Sequence, residues 1–262
     1  MKLINLVIFA FFALVAIAHA ETTVTLQTHS HKSKNEDICF SLLVPLEIVG
    51  KQNLKRVCKS EIPKLLRSRI APINSSDQMM FPKYSEPNQK IQSCEQYLSI
   101  IGYGQYWTSN NELTIEAPFM QTCGTLVSLL KARHGANYFQ SVKDALDPKH
   151  LPPSVIIQAA TGDQEEYLAR SEEEGNTAFD EITDENNIVL KDNSLEYDDS
   201  FVQVIAVADV DNDGLNDYII TVSYHYEHFS SFHVGYLSPT KIRNASRWIK
   251  FDGSNMTLPK IP

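Results

Sequence analysis

The chain has 262 residues, of which 43% are hydrophobic and 21% are charged, with a formal net charge of −9 at pH 7. This apolar fraction is enough to build a core, which excludes a collagen-like, low-complexity or wholly disordered protein. The negative charge argues against nucleic acid as the main partner, because phosphate-backbone binding needs a basic surface.

The N-terminus has the pattern of a secretory signal peptide. Lys2 supplies a short basic region, an apolar run follows over residues 3–17, and Ala18-His19-Ala20 fits the A-x-A cleavage rule. The alternative is an uncleaved membrane anchor. We favour a signal peptide because the apolar run is shorter than the ~20 residues that a spanning helix needs. We therefore predict that residues 1–20 are removed, that no transmembrane segment is left, and that the mature protein is periplasmic or extracellular.

Charge divides the rest of the chain into three parts. Residues 21–162 hold all four cysteines and mix predicted strands with helices. Residues 163–200 carry fourteen acidic side chains against two basic ones, which predicts an acidic helix and a connector. Residues 201–262 are nearly balanced in charge and rich in β-branched and aromatic residues. These parts predict an α+β protein, with a disulfide-stapled mixed N-terminal part followed by an antiparallel β C-terminal part.

The predicted elements follow from periodicity, capping residues and β-branched content. In chain order they are strands over 22–27 and 38–44, helices over 60–69, 93–101 and 122–133, a buried strand over 154–160, a helix over 164–174 and a strand over 187–191. Gly135 and Gly175 are predicted to lie just after the ends of two of these helices.

The cysteines are Cys39, Cys58, Cys94 and Cys123, an even number that predicts two disulfides in an oxidising compartment. Of the three possible pairings, Cys39–Cys58 and Cys94–Cys123 close the shortest loops, and we favour them. The alternative is that Cys123 is a nucleophile with His134 as its base, which requires a free thiolate.

Residues 51–69 form a basic segment, with seven Lys or Arg side chains opposed by Glu61 alone. Such a segment suits an anionic partner: a cell-wall polymer, a lipid headgroup or the acidic part of the same chain. A solvated helix face is the simpler interpretation, and it is the one we prefer.

The most specific motif is a loop with carboxylates at alternate positions, running from Asp209 to Asp217. Positions 1, 3, 5 and 9 are acidic, and position 6 is Gly214, which permits a sharp turn. This spacing directs oxygen atoms onto one point, and Ca²⁺ takes six to eight oxygen ligands. The sequence therefore predicts a Ca²⁺ site, with a simple Asn-Asp-Gly hairpin turn as the alternative.

The residues that flank the loop distinguish between kinds of calcium loop. An EF-hand needs an acidic residue at position 12, which here is Ile220, and both flanks read as strands. The segment resembles the calcium-binding β-hairpin of FG-GAP/VCBS repeats. The resemblance covers about 25 residues, and it implies a structural Ca²⁺ held by Asp209, Asp211, Asp213, the Leu215 carbonyl and Asp217. The Phe-Gly and Gly-Ala-Pro elements of that family and a second copy of the loop are absent, so a propeller is not expected.

An aromatic-rich hairpin is predicted after this loop. Its aromatic side chains form the candidate surface for an unknown protein or glycan partner, and they are Tyr224, Tyr226, Phe229, Phe232 and Tyr236. The same hairpin holds His225, Glu227, His228 and His233. His225 and Glu227 share a strand face and suit a transition metal or an acid–base pair, but we prefer the simpler interpretation of an exposed hairpin tip.

These features predict an exported calcium-binding protein that acts as a binding or interaction module. The first alternative is a secreted or periplasmic hydrolase whose site lies between the two parts, with His134, His225 or His228 beside a carboxylate. A second alternative is a structural envelope protein whose fold responds to calcium concentration.

Overall fold

A computed structural model describes most of the chain after the predicted signal peptide. The described residues are 37–70, 79–80, 90–101, 110–157, 162–226, 229–240 and 246–251. The predicted signal peptide and the predicted strand over 22–27 lie outside these residues.

The described residues form both strands and helices, and the strands from β5 onwards follow one another without an α-helix between them. The strands are β1 (Cys39–Ile48), β2 (Lys51–Cys58), β3 (Met79–Met80), β4 (Lys90–Ile91), β5 (Ile188–Leu190), β6 (Ser194–Tyr197), β7 (Ser200–Ala208), β8 (Asp217–Tyr226), β9 (Phe229–Ser238) and β10 (Arg247–Lys250). The α-helices are α1 (Ile62–Arg67), α2 (Cys94–Ile101), α3 (Asn110–Lys131), α4 (Val142–Ala145), α5 (Gly162–Glu174) and α6 (Ala178–Glu181).

One large antiparallel sheet organises the molecule. Its main strand order is β10-β9-β8-β7-β1-β2, and β6 pairs with the start of β7 and with β5. β3 and β4 form a separate two-stranded sheet. The fold combines helices with this large antiparallel sheet, so it is α+β, as predicted. The large sheet is open, so the fold is not a propeller, which was also predicted. It takes strands from all three charge-defined parts of the chain, so those parts are not separate layers.

Both faces of the sheet are covered by other elements. One core packs α1, α2 and α3 against inward-facing residues such as Phe40 and Ile219. The other core packs residues 139–157 and Ala178 against the opposite face, which includes Tyr218 and Ile220. Because successive side chains of a strand point to opposite faces, a strand buried on both sides carries almost continuous apolar sequence. This explains the run of Val, Ile and Ala residues in β7.

Both favoured disulfides are present. Cys39 and Cys58 are cross-strand partners in β1 and β2, and Cys94 joins α2 to Cys123 of α3 within the core. The chain has no free cysteine. The alternative of Cys123 as a free nucleophile is therefore wrong, because its sulfur is bonded to Cys94.

The third predicted helix is longer than expected and ends earlier. α3 covers 22 residues and ends at Lys131, whereas the prediction placed its last residue at Arg133, with Gly135 just after its end. The chain leaves the helix because residues 133–137 pair with the loop after β7, a contact that periodicity does not reveal. Gly175, by contrast, follows α5 with a φ of 90°, as a residue after a C-cap does.

The predicted buried strand over 154–160 is also wrong. Residues 153–155 form a short 3-10 helix that starts after Pro152, followed by a turn, and residues 158–160 lie outside the described part. Side chains bind its carbonyl groups: Tyr224 donates to Ser154 O at 2.8 Å, and Ser200 donates to Ile156 O at 2.7 Å. Burial was predicted correctly here, but a buried apolar run does not by itself distinguish a strand from a turn.

Candidate metal centre

The candidate site is the loop that joins β7 to β8. The two strands pair as far as Ala208 and Asp217, so residues 209–216 form the loop of a β-hairpin. Gly214 has a φ of 94°, which favours glycine because it has no β-carbon. Asn212 has a φ of 65°, a conformation that asparagine tolerates better than most residues. The loop is therefore curled tightly enough to turn side chains inward.

Three of the loop's carboxylates come together. Asp209, Asp211 and Asp217 each offer an oxygen atom, and these atoms lie within 4.8 Å of one another. Asp209 is 3% exposed, Asp217 is 0% exposed, and the side chain of Asp211 is 21% exposed. The cluster thus has two buried members and one member at the protein surface.

Each buried carboxylate has one bonded and one unbonded oxygen. Oδ2 of Asp209 accepts the Gly214 N–H at 3.2 Å, and Oδ2 of Asp217 accepts the Val210 N–H at 2.6 Å. The Oδ1 atoms of both residues are buried and have no hydrogen-bond partner among the described residues. A buried acceptor left unsatisfied costs about 1–3 kcal/mol, and more when it is charged. The two Oδ1 atoms therefore have the environment expected of cation ligands.

Electrostatics give the same indication for Asp217. Burial raises the pKa of its carboxyl group to about 7, against the opposing effect of the Val210 hydrogen bond, and the nearby Asp211 charge raises it further. The raised pKa means that burial destabilises the ionised carboxylate, and a positive charge beside it would offset this effect. A bound divalent cation supplies such a charge.

Neighbouring strands hold the outer carboxylate. Ser238, at the end of β9, donates its hydroxyl hydrogen to Asp211 Oδ2 at 2.9 Å. The guanidinium of Arg247, on β10, lies 3.8 Å from the same oxygen. Asp211 Oδ1 accepts the Asp213 N–H at 3.2 Å, which shapes the turn. The loop is thus tied to β9 and β10 as well as to its own hairpin.

The other two predicted ligands have different environments. Asp213 is exposed and is not a member of the three-carboxylate cluster; its Oδ1 accepts the Leu215 N–H at 2.8 Å. Leu215 forms a parallel bridge with Ala136, in which the neighbouring Gly214 O and Asn216 N make the hydrogen bonds. The roles of Asp213 and of the Leu215 carbonyl as ligands stay predictions.

A second segment supports the loop, and the sequence did not reveal it. Residues 133–137, which follow α3, lie along the loop: Arg133 and Asp209 exchange backbone hydrogen bonds of 2.8 and 2.9 Å. The side chain of Asn216 accepts the Gly135 N–H at 2.9 Å and donates to Asn137 Oδ1 at 2.7 Å. In the sequence, the Gly-Ala-Asn run at residues 135–137 favours an irregular backbone. It does not indicate that the metal loop is the partner of this segment.

The five predicted surface aromatics do not form one surface. Tyr224 is buried in the core that contains Tyr218, whereas Tyr236 is half-buried against the opposite core, so the sheet separates them. Phe232 is half-buried, and the side chains of Tyr226 and Phe229 lie outside the described residues. Tyr224 is therefore a core residue, because both faces of this antiparallel sheet are covered.

The histidines considered for a hydrolase are also separated. His134 packs its ring 5.1 Å from that of Phe40, close to the metal loop. His225 is exposed near the far end of β8, eight residues from Asp217, which corresponds to about 26 Å along a strand. Glu227 and His228 lie outside the described residues. The structure thus does not bring His134 and His225 into one site.

A comparison with protein-family models, with curated proteins and with solved structures finds no match to this chain. Among the described residues, no helix is long and apolar enough to cross a membrane.

Proposed function

We propose that this chain is an exported calcium-binding protein in which Ca²⁺ stabilises the β7–β8 loop. The observation that carries the proposal is the pair of buried, unbonded Oδ1 atoms of Asp209 and Asp217 beside the carboxylate of Asp211. Asp209, Asp211 and Asp217 would hold the ion, and the Asp213 side chain, the Leu215 carbonyl and water are candidates to complete its shell.

The donor set favours a hard cation. All the clustered donors are carboxylate oxygens, which suit Ca²⁺ and Mg²⁺, whereas zinc sites are built mainly from Cys and His. Ca²⁺ binds oxygen at about 2.3–2.6 Å with flexible geometry, so ligands on opposite sides of the ion are about 5 Å apart. The 4.8 Å limit on the cluster is compatible with one such ion. Mg²⁺ prefers a stricter octahedron and retains water, so we favour Ca²⁺.

The proposed role of the ion is structural. When bound, it neutralises charge between the two buried carboxylates and fixes the loop against residues 133–137 and β9. The resemblance to the FG-GAP/VCBS hairpin supports this role, since the loop joins two strands and carries its acidic residues at the same positions. An interaction role towards a protein or glycan, rather than catalysis, remains the prediction for the molecule as a whole.

Export is part of the proposal. The N-terminal pattern of residues 1–20 is that of a signal peptide, and both disulfides are typical of proteins that fold in an oxidising compartment. Extracellular and periplasmic fluids also offer Ca²⁺ at concentrations that weak sites can use.

The test is calorimetric titration of the EDTA-treated protein with CaCl₂ and, separately, with MgCl₂, together with thermal unfolding in each condition. At 100 times its Kd, a ligand specific for the folded state adds about 2.7 kcal/mol. For a chain of this size we expect the midpoint to rise by roughly 5–10 °C. The response should be larger for Ca²⁺ than for Mg²⁺.

The matched variants are Asp209→Asn and Asp192→Asn. Both remove one negative charge with almost no change of shape, but Asp209 is in the cluster and Asp192 is exposed near the β5–β6 turn. The calcium response should be lost in the first variant and kept in the second. An equal response in both variants, or no response in the wild type, would contradict the proposal.

The hydrolase alternative is less well supported. It requires histidines that converge with a carboxylate, and His134 and His225 lie in different regions of the fold. No contact among the described residues favours a hydrolase over the calcium-binding function.

A further inference from the structure

A row of three side chains crosses the sheet beside the candidate metal loop. Arg247 of β10 is the cross-strand partner of Ser238. Tyr218 and Leu237 are partners in β8 and β9, so Asp217 and Ser238, the next residues of that antiparallel ladder, lie opposite each other. Residues opposite each other in a sheet project to the same face, and two strand spacings separate backbones by roughly 10 Å. Arg247 therefore lies on the same face as a buried member of the carboxylate cluster, two strands away.

Asp211 reaches this row from the loop. Its Oδ2 accepts the hydroxyl hydrogen of Ser238 at 2.9 Å and lies 3.8 Å from a guanidinium nitrogen of Arg247. The same carboxylate shares the 4.8 Å cluster with Asp209 and Asp217. One carboxylate is thus a member of the acidic cluster and of an ion pair with a basic side chain.

The arginine is close enough to act on an ion held by the cluster. Ca²⁺ binds carboxylate oxygen at about 2.3–2.6 Å, so an ion bonded to either oxygen of Asp211 lies within roughly 6–8 Å of the guanidinium nitrogen. This distance is shorter than the ~10 Å over which charges interact at 0.1 M salt. A bound cation and Arg247 therefore repel each other, although both are attracted to Asp211.

The charge of the site depends on this arginine. The three clustered carboxylates carry a formal charge of −3 when they are ionised, and Arg247 reduces the sum to −2, which a divalent ion balances. Asp213 is exposed and lies outside the cluster. Without the arginine, the additional negative charge favours an ion of higher charge.

We propose that Arg247 is a specificity-determining residue of the metal centre, which weakens the binding of each cation in proportion to the charge of that cation. The proposal rests on the calcium-binding function proposed above. The Coulomb energy between the guanidinium and the ion is proportional to the product of their charges, so a trivalent ion is repelled about 1.5 times as strongly as a divalent one. The arginine thus shifts the selectivity of the centre away from trivalent ions and towards divalent ions.

The experiment compares Ca²⁺ with Tb³⁺, a trivalent ion that also prefers oxygen ligands. The disulfide-bonded mature protein and its Arg247→Gln variant are stripped with EDTA, freed of the chelator, and titrated calorimetrically with CaCl₂ and with TbCl₃. At low salt we expect the substitution to lower the Kd for Ca²⁺ by about threefold to tenfold, and the Kd for Tb³⁺ by about fivefold to thirtyfold. At about 0.5 M KCl both gains should shrink, because the guanidinium is exposed and its charge is screened.

Two further variants separate charge from shape and from a general effect of net charge. Arg247→Lys keeps the positive charge on a different side chain, so it should restore the ratio of Tb³⁺ to Ca²⁺ affinity that wild type shows. Arg170→Gln removes the same charge from α5, where Arg170 lies 3.8 Å from Glu166 in an ion pair of equal length. This variant should change neither affinity.

Several outcomes would overturn the proposal. Weaker binding of both ions by Arg247→Gln would mean that the arginine orients Asp211 and does not repel the ion. Equal gains for the two ions, an Arg247→Lys variant that behaves as Arg247→Gln does, or no change at low salt would also contradict it.

The wild-type calcium titration distinguishes this proposal from the proposed function. If wild type binds calcium and the variants do not follow the expected pattern, only the role of Arg247 is wrong. If wild type does not bind calcium, the proposed function fails and the role of Arg247 fails with it.

Discussion

Gly135 lies against the peptide that joins Leu215 to Asn216. A β-carbon built on Gly135 would be 2.6 Å from the Leu215 carbonyl carbon and 2.8 Å from the Asn216 nitrogen. Both neighbours are backbone atoms, which cannot rotate out of the way as a side chain can. The close approach of the supporting segment to the metal loop therefore depends on the absence of a side chain at this position.

We expect Gly135→Ala to destabilise the protein and to weaken calcium binding. Overpacking costs about 1–3 kcal/mol, and here the cost falls on the backbone contact that holds the loop. Gly162→Ala is the control, because a β-carbon on Gly162 meets no atom within 4 Å and its φ is not positive. Urea unfolding and calcium titration of both variants test this, and an equal effect of the two substitutions would contradict it.

Asp217→Asn should have opposite effects with and without calcium. In EDTA at pH 7.5 the substitution removes a buried, unbonded carboxylate oxygen and takes one negative charge out of the three-carboxylate cluster. We expect the free energy of unfolding to rise by about 1–3 kcal/mol. Each kcal/mol should raise the midpoint of thermal unfolding by roughly 2–4 °C. In calcium the variant should show no further rise. A variant less stable than wild type in EDTA would argue that Asp217 is held by contacts other than a cation.

The stability of the cation-free protein should fall as the pH rises from about 4 to about 7. Burial raises the pKa of Asp217 to about 7, whereas its value in the unfolded chain is near 3.8, so the folded state keeps a proton that the unfolded state has released. Urea unfolding in EDTA at pH 5 and pH 8 measures the loss. The stability of Asp217→Asn relative to wild type should grow over this range. With calcium the trend should reverse, because the ion binds the deprotonated carboxylate.

A second pH dependence of the stability should come from His233. Burial lowers the pKa of His233 to about 3, and the nearby positive charge of Lys250 contributes. The unfolded chain takes up a proton near pH 6.5 while the folded one does not, so stability is present above pH 6.5 and is lost as the pH falls towards 3. His233→Gln should lose less stability than wild type between pH 7.5 and 5. His225→Gln, which changes an exposed histidine, should behave as wild type does.

Much of this protein follows from local sequence patterns. The spacing of Asp209, Asp211 and Asp217 around Gly214 predicts a carboxylate cluster on a strand-to-strand loop, because alternate positions of a tight turn face one point. The two disulfides follow from the preference for short closed loops, and the antiparallel strands of the C-terminal part follow from β-branched runs. In each case the information lies within a few residues of chain, or in the number and order of the cysteines.

Contacts between distant segments were decided by the tertiary structure alone. Local patterns predicted a third helix that runs to Arg133, but the pairing of Arg133 with Asp209 ends it at Lys131. An aromatic hairpin suggested an exposed surface, but a second covered face buries Tyr224. The unbonded state of Asp209 Oδ1 and Asp217 Oδ1 is likewise a property of packing. A sequence specifies which groups are present, whereas burial and partners depend on which distant groups fold against them.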